Sequence, residues 1–242
     1  MKILSIDTSG QPCTVALLED ENLRASYTLD FKRTHSETLL PMIDSLFETT
    51  GIMKNEIDLI ACAAGPGSFT GLRIGASTAK GIGLAFEKPI IPVPTLLSLS
   101  YNVCVSGADI VPIMDARRGQ VYTGIYRYEN GSVSLPKIVM EQCAVPFEEL
   151  IKVINDNDRS VIFLGDAVPV FTEKIKLLAK TKYSFAPAFL SRQRAGALAE
   201  AALLLYREGA AVSADDFRLD YLRLSQAERE RLEREKKLER GL

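Results

Sequence analysis

Two apolar runs, KILSID (2–7) and DIVPIMDA (109–116), both contain the acid at their end, and each opens the same order of elements. After the first come CTVALLED (13–20) and NLRASYTLD (22–30), separated by polar turn residues, which complete a three-stranded meander. Leu39, Ile43, Leu46 and Phe47 then recur at helical spacing within 36–47. Pro41 inside that pattern should bend the helix or mark its true first turn, and Gly51 ends it. IDLIACAA (57–64) reads as a buried strand, and a helix is expected from about Phe69 to Phe86. The second run is followed by QVYTGIYRY (120–128), the hairpin signal Asn130-Gly131, and SVSLPKIVM (132–140) as a third strand. A helix near Phe147–Ile154, a strand at SVIFLG (160–165) and a helix at Val170–Lys180 close the second half. Each half therefore reads strand-strand-strand-helix-strand-helix, with no sequence repeat beneath it. We expect an α/β chain of two such domains, 1–106 and 107–242.

Composition narrows the function classes. The chain has 242 residues, 47% hydrophobic and 25% charged, which is ordinary for a soluble globular protein able to bury a proper core. A net charge of -2 gives no electrostatic footprint for nucleic acid. No apolar run reaches bilayer length and the first residues lack a signal peptide, so the expectation is a cytoplasmic protein with no membrane partner. Cys13, Cys62, Cys104 and Cys143 are far apart and read as reduced thiols. With His35 as the one histidine, a catalytic zinc is not expected. Toward the end, Ser225-Gln226-Ala227-Glu228 is a capping box that opens a helix. The charged stretch 229–240 after it reads as a solvated surface helix.

Two stretches invite a phosphate. AAGPGSFTGLRIGAS (63–77) lies between a strand and a helix, yet it has neither a Walker A lysine nor a Gly-x-Gly-x-x-Gly. Its small residues continue down the helix as Gly71, Gly75, Ala76, Ala79, Gly81, Gly83 and Ala85. Phosphate binding needs glycine only around a helix start, whereas glycine repeated along a helix needs close approach of another backbone. We read the loop as setting the entry of a close-packing helix, with Ser68 as its cap. Asp7-Thr8-Ser9 is the second stretch. An acid at a strand end followed by two hydroxyls can orient a hydrated magnesium and a phosphate, although a plain turn favours the same residues. With Asp115 it suggests two loops facing across a cleft, and thus a residual ATP or ADP site with magnesium at Asp7, Thr8, Ser9 and Asp115.

KILSIDTSGQPCTVAL, RTHSETLLPMIDSL, AAGPGSFTGLRIGASTAKGIGLA, PVPTLLSLS and MDARRGQVYTGIY together resemble the bacterial TsaB (YeaZ) family. LGDAV, the segment from Ala195 and DYLRLSQAE fit it less distinctively. The resemblance implies the actin, Hsp70 and sugar-kinase-like (ASKHA) fold. It also implies work with the paralogue TsaD and the small ATPase TsaE in making N6-threonylcarbamoyladenosine at position 37 of tRNAs that read ANN codons.

Departures from TsaD separate partner from catalyst. Thr95 and Leu99 stand where TsaD has its two metal-holding histidines. The turn after Asp115 is Ala116-Arg117-Arg118-Gly119, where TsaD-like loops are glycine-rich, and RQRAGALAE lacks an Asp-Asn-Ala sequence. His35 matches a TsaD histidine that precedes a helix, and we read it as a helix-entry residue. The resemblance thus implies a non-catalytic subunit with no cofactor of its own, reaching tRNA only through the complex. Its helices near 36–50 and 69–86 should pack on the equivalent pair in TsaD, or on a second copy as a homodimer. Leu39, Ile43, Leu46, Phe69, Leu72, Gly75, Ala76, Ala79 and Gly83 are the expected contact residues, on a face open in the monomer. The alternatives are an active ATP-dependent kinase or hydrolase of the same fold and, last, a glycoprotease-like peptidase.

Overall fold

The computed structural model describes residues 1–31, 33–129, 134–157 and 159–222. The first half forms β1 (Lys2–Asp7), β2 (Cys13–Glu19), β3 (Asn22–Leu29), α1 (His35–Thr50), β4 (Leu59–Gly65), α2 (Phe69–Phe86), β5 (Ile90–Pro94) and α3 (Thr95–Ser100). Its sheet runs in the order β3-β2-β1-β4-β5. β1 is antiparallel to β2 and parallel to β4, so it sits in the middle, and its apolar run is buried on both faces.

The second half repeats the plan. β6 (Asp109–Asp115), β7 (Gln120–Arg127), β8 (Lys137–Pro146), α4 (Phe147–Asp156), β9 (Val161–Leu164), α5 (Val168–Leu178) and β10 (Tyr183–Phe185) give a sheet ordered β10-β9-β6-β7-β8. β6 has the middle place that β1 has in the first. This is the two-domain actin-like architecture expected. β8 begins after Pro136, five residues later than the sequence run, because proline cannot donate to a ladder. Pro41 stands exposed inside an α1 that begins at His35 and ends on Gly51 at φ 68°. Asn130-Gly131 and the capping box at Ser225 lie outside the described residues.

Three apolar clusters arrange these elements in layers. Leu4, Ile6, Val15 and Ile60 on one face of the first sheet pack with Leu39, Ile43 and Leu46 of α1 and Ala76 and Ala79 of α2. Ile3, Leu59, Ala61 and Ile91 on the opposite face meet α3, a helix α6 (Ala195–Arg207) and β6 and β7 of the second sheet. The far face of the second sheet packs on α4 and α5 through Phe147, Leu150, Phe163 and Phe171. Thus α6, which follows the second sheet in sequence, lies against β1, β2 and β5 of the first. Ser5 Oγ donates to Ala195 O at 2.8 Å across that contact.

The chain then runs back along α2. Val212 bridges Ile90, Ala214 lies beside Gly83, Phe217 is 1% exposed in the first cluster, and Asp220 N donates to Ala64 O at 2.7 Å. Residues 212–221 form a strap that ends at the N-terminal end of α2.

Gly71, Gly75, Ala76, Ala79 and Gly83 of α2 serve packing inside the chain, which corrects the expectation that they form an open face, while Gly81 and Ala85 are exposed. A β-carbon at Gly71 would run into Thr8 O, one at Gly75 into Thr8 Oγ1, and one at Gly83 would meet Ala214 at 3.1 Å. Leu39, Ile43, Leu46, Leu72, Gly75, Ala76, Ala79 and Gly83 are all buried. Of the nine expected contact residues, Phe69 alone keeps part of its surface. Helical periodicity marks an apolar face but not what covers it, and here the cover is the chain's own β1–β2 turn, sheet and strap.

Candidate functional site

The cleft between the two sheets holds the first candidate. The central strands β1 and β6 end toward it in Asp7 and Asp115, and Asp166 follows the end of β9. A cavity of about 580 Å³ is lined by Ser9, His35, Asp115, Arg117 and Asp166 among others. The structure therefore brings Ser9 and Asp115 to one cavity, as the two facing loops required.

Asp7 and Thr8 lie beneath the cavity and are spent on the fold. Ser9 N and Oγ donate to Asp7 Oδ1 at 2.8 and 2.6 Å, and Thr8 Oγ1 donates to Gly71 O at 2.8 Å. Asp7 Oδ2 is buried with no partner among the described residues. Burial pushes the Asp7 carboxyl above the ordinary 3.8, against the lowering effect of the two Ser9 bonds. Asp166 is pushed up in the same way, its Oδ1 accepting Asp115 N at 3.1 Å.

The glycine loop offers no anion cradle. Ser68 N donates to Ser9 O at 2.7 Å and Gly71 N to Ser68 Oγ at 3.2 Å, so these donors at the head of α2 are already satisfied. Ser68 is the cap read from the sequence. A β-carbon at Gly67 would meet Ser9 O, so this glycine lets the two turns close on each other. On the opposite side Arg117, Arg118 and Gly119 have φ of 65°, 57° and 73°. Arg117 N and Nη1 donate to Asp115 Oδ1 and Oδ2 at 2.8 and 3.1 Å, which ties the acid to its own turn.

His35 opens α1, as expected of a helix-entry residue. Its Nε2 lies 3.0 Å from Gly10 O, to which it donates, and Nδ1 is buried without a partner among the described residues. Gln193, 2% exposed, fills the floor between the halves, its carboxamide against Gly10 and 3.7 Å from Met114 Sδ. Thr95 and Leu99 are buried in α3 and give no metal-ligand pair. Among the described residues no group of three or more His, Cys, Asp and Glu could hold a metal ion. The four cysteines are free, and burial pushes the Cys104 thiol up to about 11.

The outer side of α1 and α2 is the second candidate. A groove of about 490 Å³ runs between them, lined by Leu39, Leu40, Phe69, Arg73, Ile74 and neighbours, with His35 shared with the cleft. Leu40 is 55% exposed there. Arg73 lies over the Phe69 ring at 3.9 Å, and Tyr221 of the strap packs on the same ring at 5.0 Å. A partner laid on this face would meet Leu40, Phe69, Arg73 and Ile74 and, of the eight buried residues, only Leu39 at the groove's lining.

Sequence reasoning missed Asp166 and Gln193. Asp166 carried a signal, being a third acid just past an apolar strand. Gln193 carried none, since its place depends on packing against Gly10, far away in sequence.

The family model described as "TsaD: tRNA N6-adenosine threonylcarbamoyltransferase" matches residues 29–231. The "tRNA threonylcarbamoyladenosine biosynthesis protein TsaB" of Bacillus subtilis is 35% identical over 236 residues, covering 98% of this chain and 100% of its own. The Escherichia coli protein of that name is 39% identical over 153 residues, 59% of this chain and 66% of its own. Among solved structures, YeaZ from Pseudomonas aeruginosa superposes with a TM-score of 0.78 at 25% identity, over 91% of this chain and 99% of that one. Among the described residues no helix is long and apolar enough to cross a membrane.

Proposed function

The chain belongs to the TsaB family, and from that premise we propose that it serves tRNA threonylcarbamoyladenosine formation as a partner subunit, without catalysing the transfer itself. The relatives' name supports the pathway. The state of the cleft supports the division of labour, and one observation carries it: the groups a reaction would need are engaged elsewhere. Ser9 is bound to Asp7, Thr8 to Gly71, Asp115 to Arg117, and the one histidine donates to a backbone carbonyl.

The partner we propose is TsaD, docked on the α1–α2 face, with TsaE joining the assembly and tRNA reached through it. Without TsaD the same face pairs with a second copy. A groove bearing Leu40, Ile74 and the Phe69–Arg73 stack is apolar with one cation, the composition that suits the centre of an interface. Leu40→Asp tests this. Its side chain is mostly in water, so the chain should fold with unchanged thermal stability while co-purification with TsaD is lost. An undiminished complex would place the interface elsewhere.

A further inference from the structure

One guanidinium group at the mouth of the cleft, and one in a turn that borders it, are not used by the fold. Arg33 lines the cavity from the segment before α1, and Arg118 stands next to Arg117 in the turn after β6. Both are exposed, and among the described residues neither side chain has a hydrogen-bond or ion-pair partner. Phe31, 66% exposed, lines the same cavity. One lip of the cleft therefore presents an aromatic ring and a free arginine, and the other presents Arg117, with exposed Arg118 as the next residue of its turn.

The turn holds its arginines in an uncommon backbone conformation. Three successive left-handed residues are what Gly and Asn supply without strain, yet Arg117 and Arg118 hold two of those places at φ 65° and 57°. Left-handed backbone at residues with a β-carbon is strained, and such strain gathers at functional sites. Arg117 is anchored to Asp115, which fixes the turn and leaves Arg118 presented to solvent.

We propose that this mouth is a contact for single-stranded RNA, with Arg33 and Arg118 taking backbone phosphates and Phe31 stacking a base. Guanidinium forks match phosphate oxygens, and an aromatic ring stacks any base. Asp115 and Asp166 on the wall can accept from base amino groups or ribose hydroxyls, and Phe31 offers a stacking face that suits a base. A free nucleoside triphosphate fits less well. The amides of Ser68 and Gly71 are spent, and Ala116 N and Gln120 N donate within their own turn to Gln120 O and Arg117 O. The contact rests on the tRNA reading above. It is local and weak, because the whole chain is net negative at -2.

The test is fluorescence anisotropy with a labelled single-stranded oligoribonucleotide, on the full chain alone and on its complex with TsaD. The Arg33→Ala/Arg118→Ala double variant should bind RNA at least roughly tenfold more weakly and lose about 1.4 from the salt slope, two phosphates at about 0.7 each. Phe31→Ala should weaken binding by roughly tenfold with the slope unchanged. Both should still co-purify with TsaD. Unchanged RNA affinity in both variants would overturn the proposal. So would equal displacement by polyglutamate, which would assign the mouth to an acidic peptide, or by magnesium-ATP, which would assign it to a free nucleotide. Loss of TsaD binding by the unaltered chain would instead sink the partner reading, and the RNA measurements on the chain alone would still decide this one.

Discussion

Two glycines of α2 that look alike in the sequence stand in opposite surroundings. Gly75 is buried where a β-carbon would strike Thr8 Oγ1, an atom held by its bond to Gly71 O; Gly81 is exposed with nothing within 4 Å. Gly75→Ala should therefore cost about 1–3 kcal/mol as an overpacked core does. Gly81→Ala should add roughly 0.5–1 kcal/mol by helix propensity alone. Urea denaturation of the two variants checks both, and equal effects would show that neither packs as described. Asp7 gives a pH signature. Its carboxyl is raised above 3.8 by burial, so the fold prefers the protonated form. That preference is fully present below the unfolded value and is lost as pH rises through the folded one. Asp7→Asn keeps an acceptor for Ser9 and removes the charge, so its thermal stability relative to the unaltered chain should climb as pH goes from about 4 toward 7. A difference flat across that range would mean Asp7 is not desolvated. The acid itself was legible as the polar end of an apolar strand. Its burial was not, because Thr8 and Ser9 fold over it only when α2 is in place.

At the scale of elements, local pattern carried most of the reading. The helix expected at 69–86 is α2 to the residue, because its cap at Ser68 and its start at Phe69 are written in adjacent positions. Contacts between distant segments were beyond that pattern. α6 is apolar on most of its surface, but nothing within 195–207 says that it packs on a sheet built from the first hundred residues. The contact face was misread for the same reason, since α2 meets its own β1–β2 turn and strap. Phe217 measures how much the strap contributes. It is 1% exposed in the cluster of the first sheet. Phe217→Ala should cost about 3–5 kcal/mol, the usual loss for a buried phenylalanine. The denaturant midpoint should fall accordingly. A loss under about 1 kcal/mol would mean the strap lies on the surface without adding to the core.

For the whole molecule, the question is what two facing strand-end acids mean in a fold of this type. The rival reading is an ATP-dependent kinase or hydrolase, and the shared cavity of Ser9 and Asp115 is its best support. Against it stands the way the halves are joined. Gln193 comes from the segment leading into α6 and fills the floor between Gly10 and Met114, so the halves meet through buried side chain beneath the cavity. The turn after β1 is closed onto α2, and in the turn after β6 the amides of Ala116, Arg117 and Gln120 are spent inside the turn, so these donors are not open to a triphosphate. A phosphate that used these donors would have to displace bonds on both sides and leave buried groups unpaired, at about 1–3 kcal/mol each. Isothermal titration of the isolated chain with magnesium-ATP should accordingly show no binding in the micromolar range, and the isolated chain should transfer no threonylcarbamoyl group to tRNA. Micromolar affinity lost on Asp115→Asn would reverse the argument. It would show that the bonds seen in the cleft open for a nucleotide and that the chain holds one in its own right.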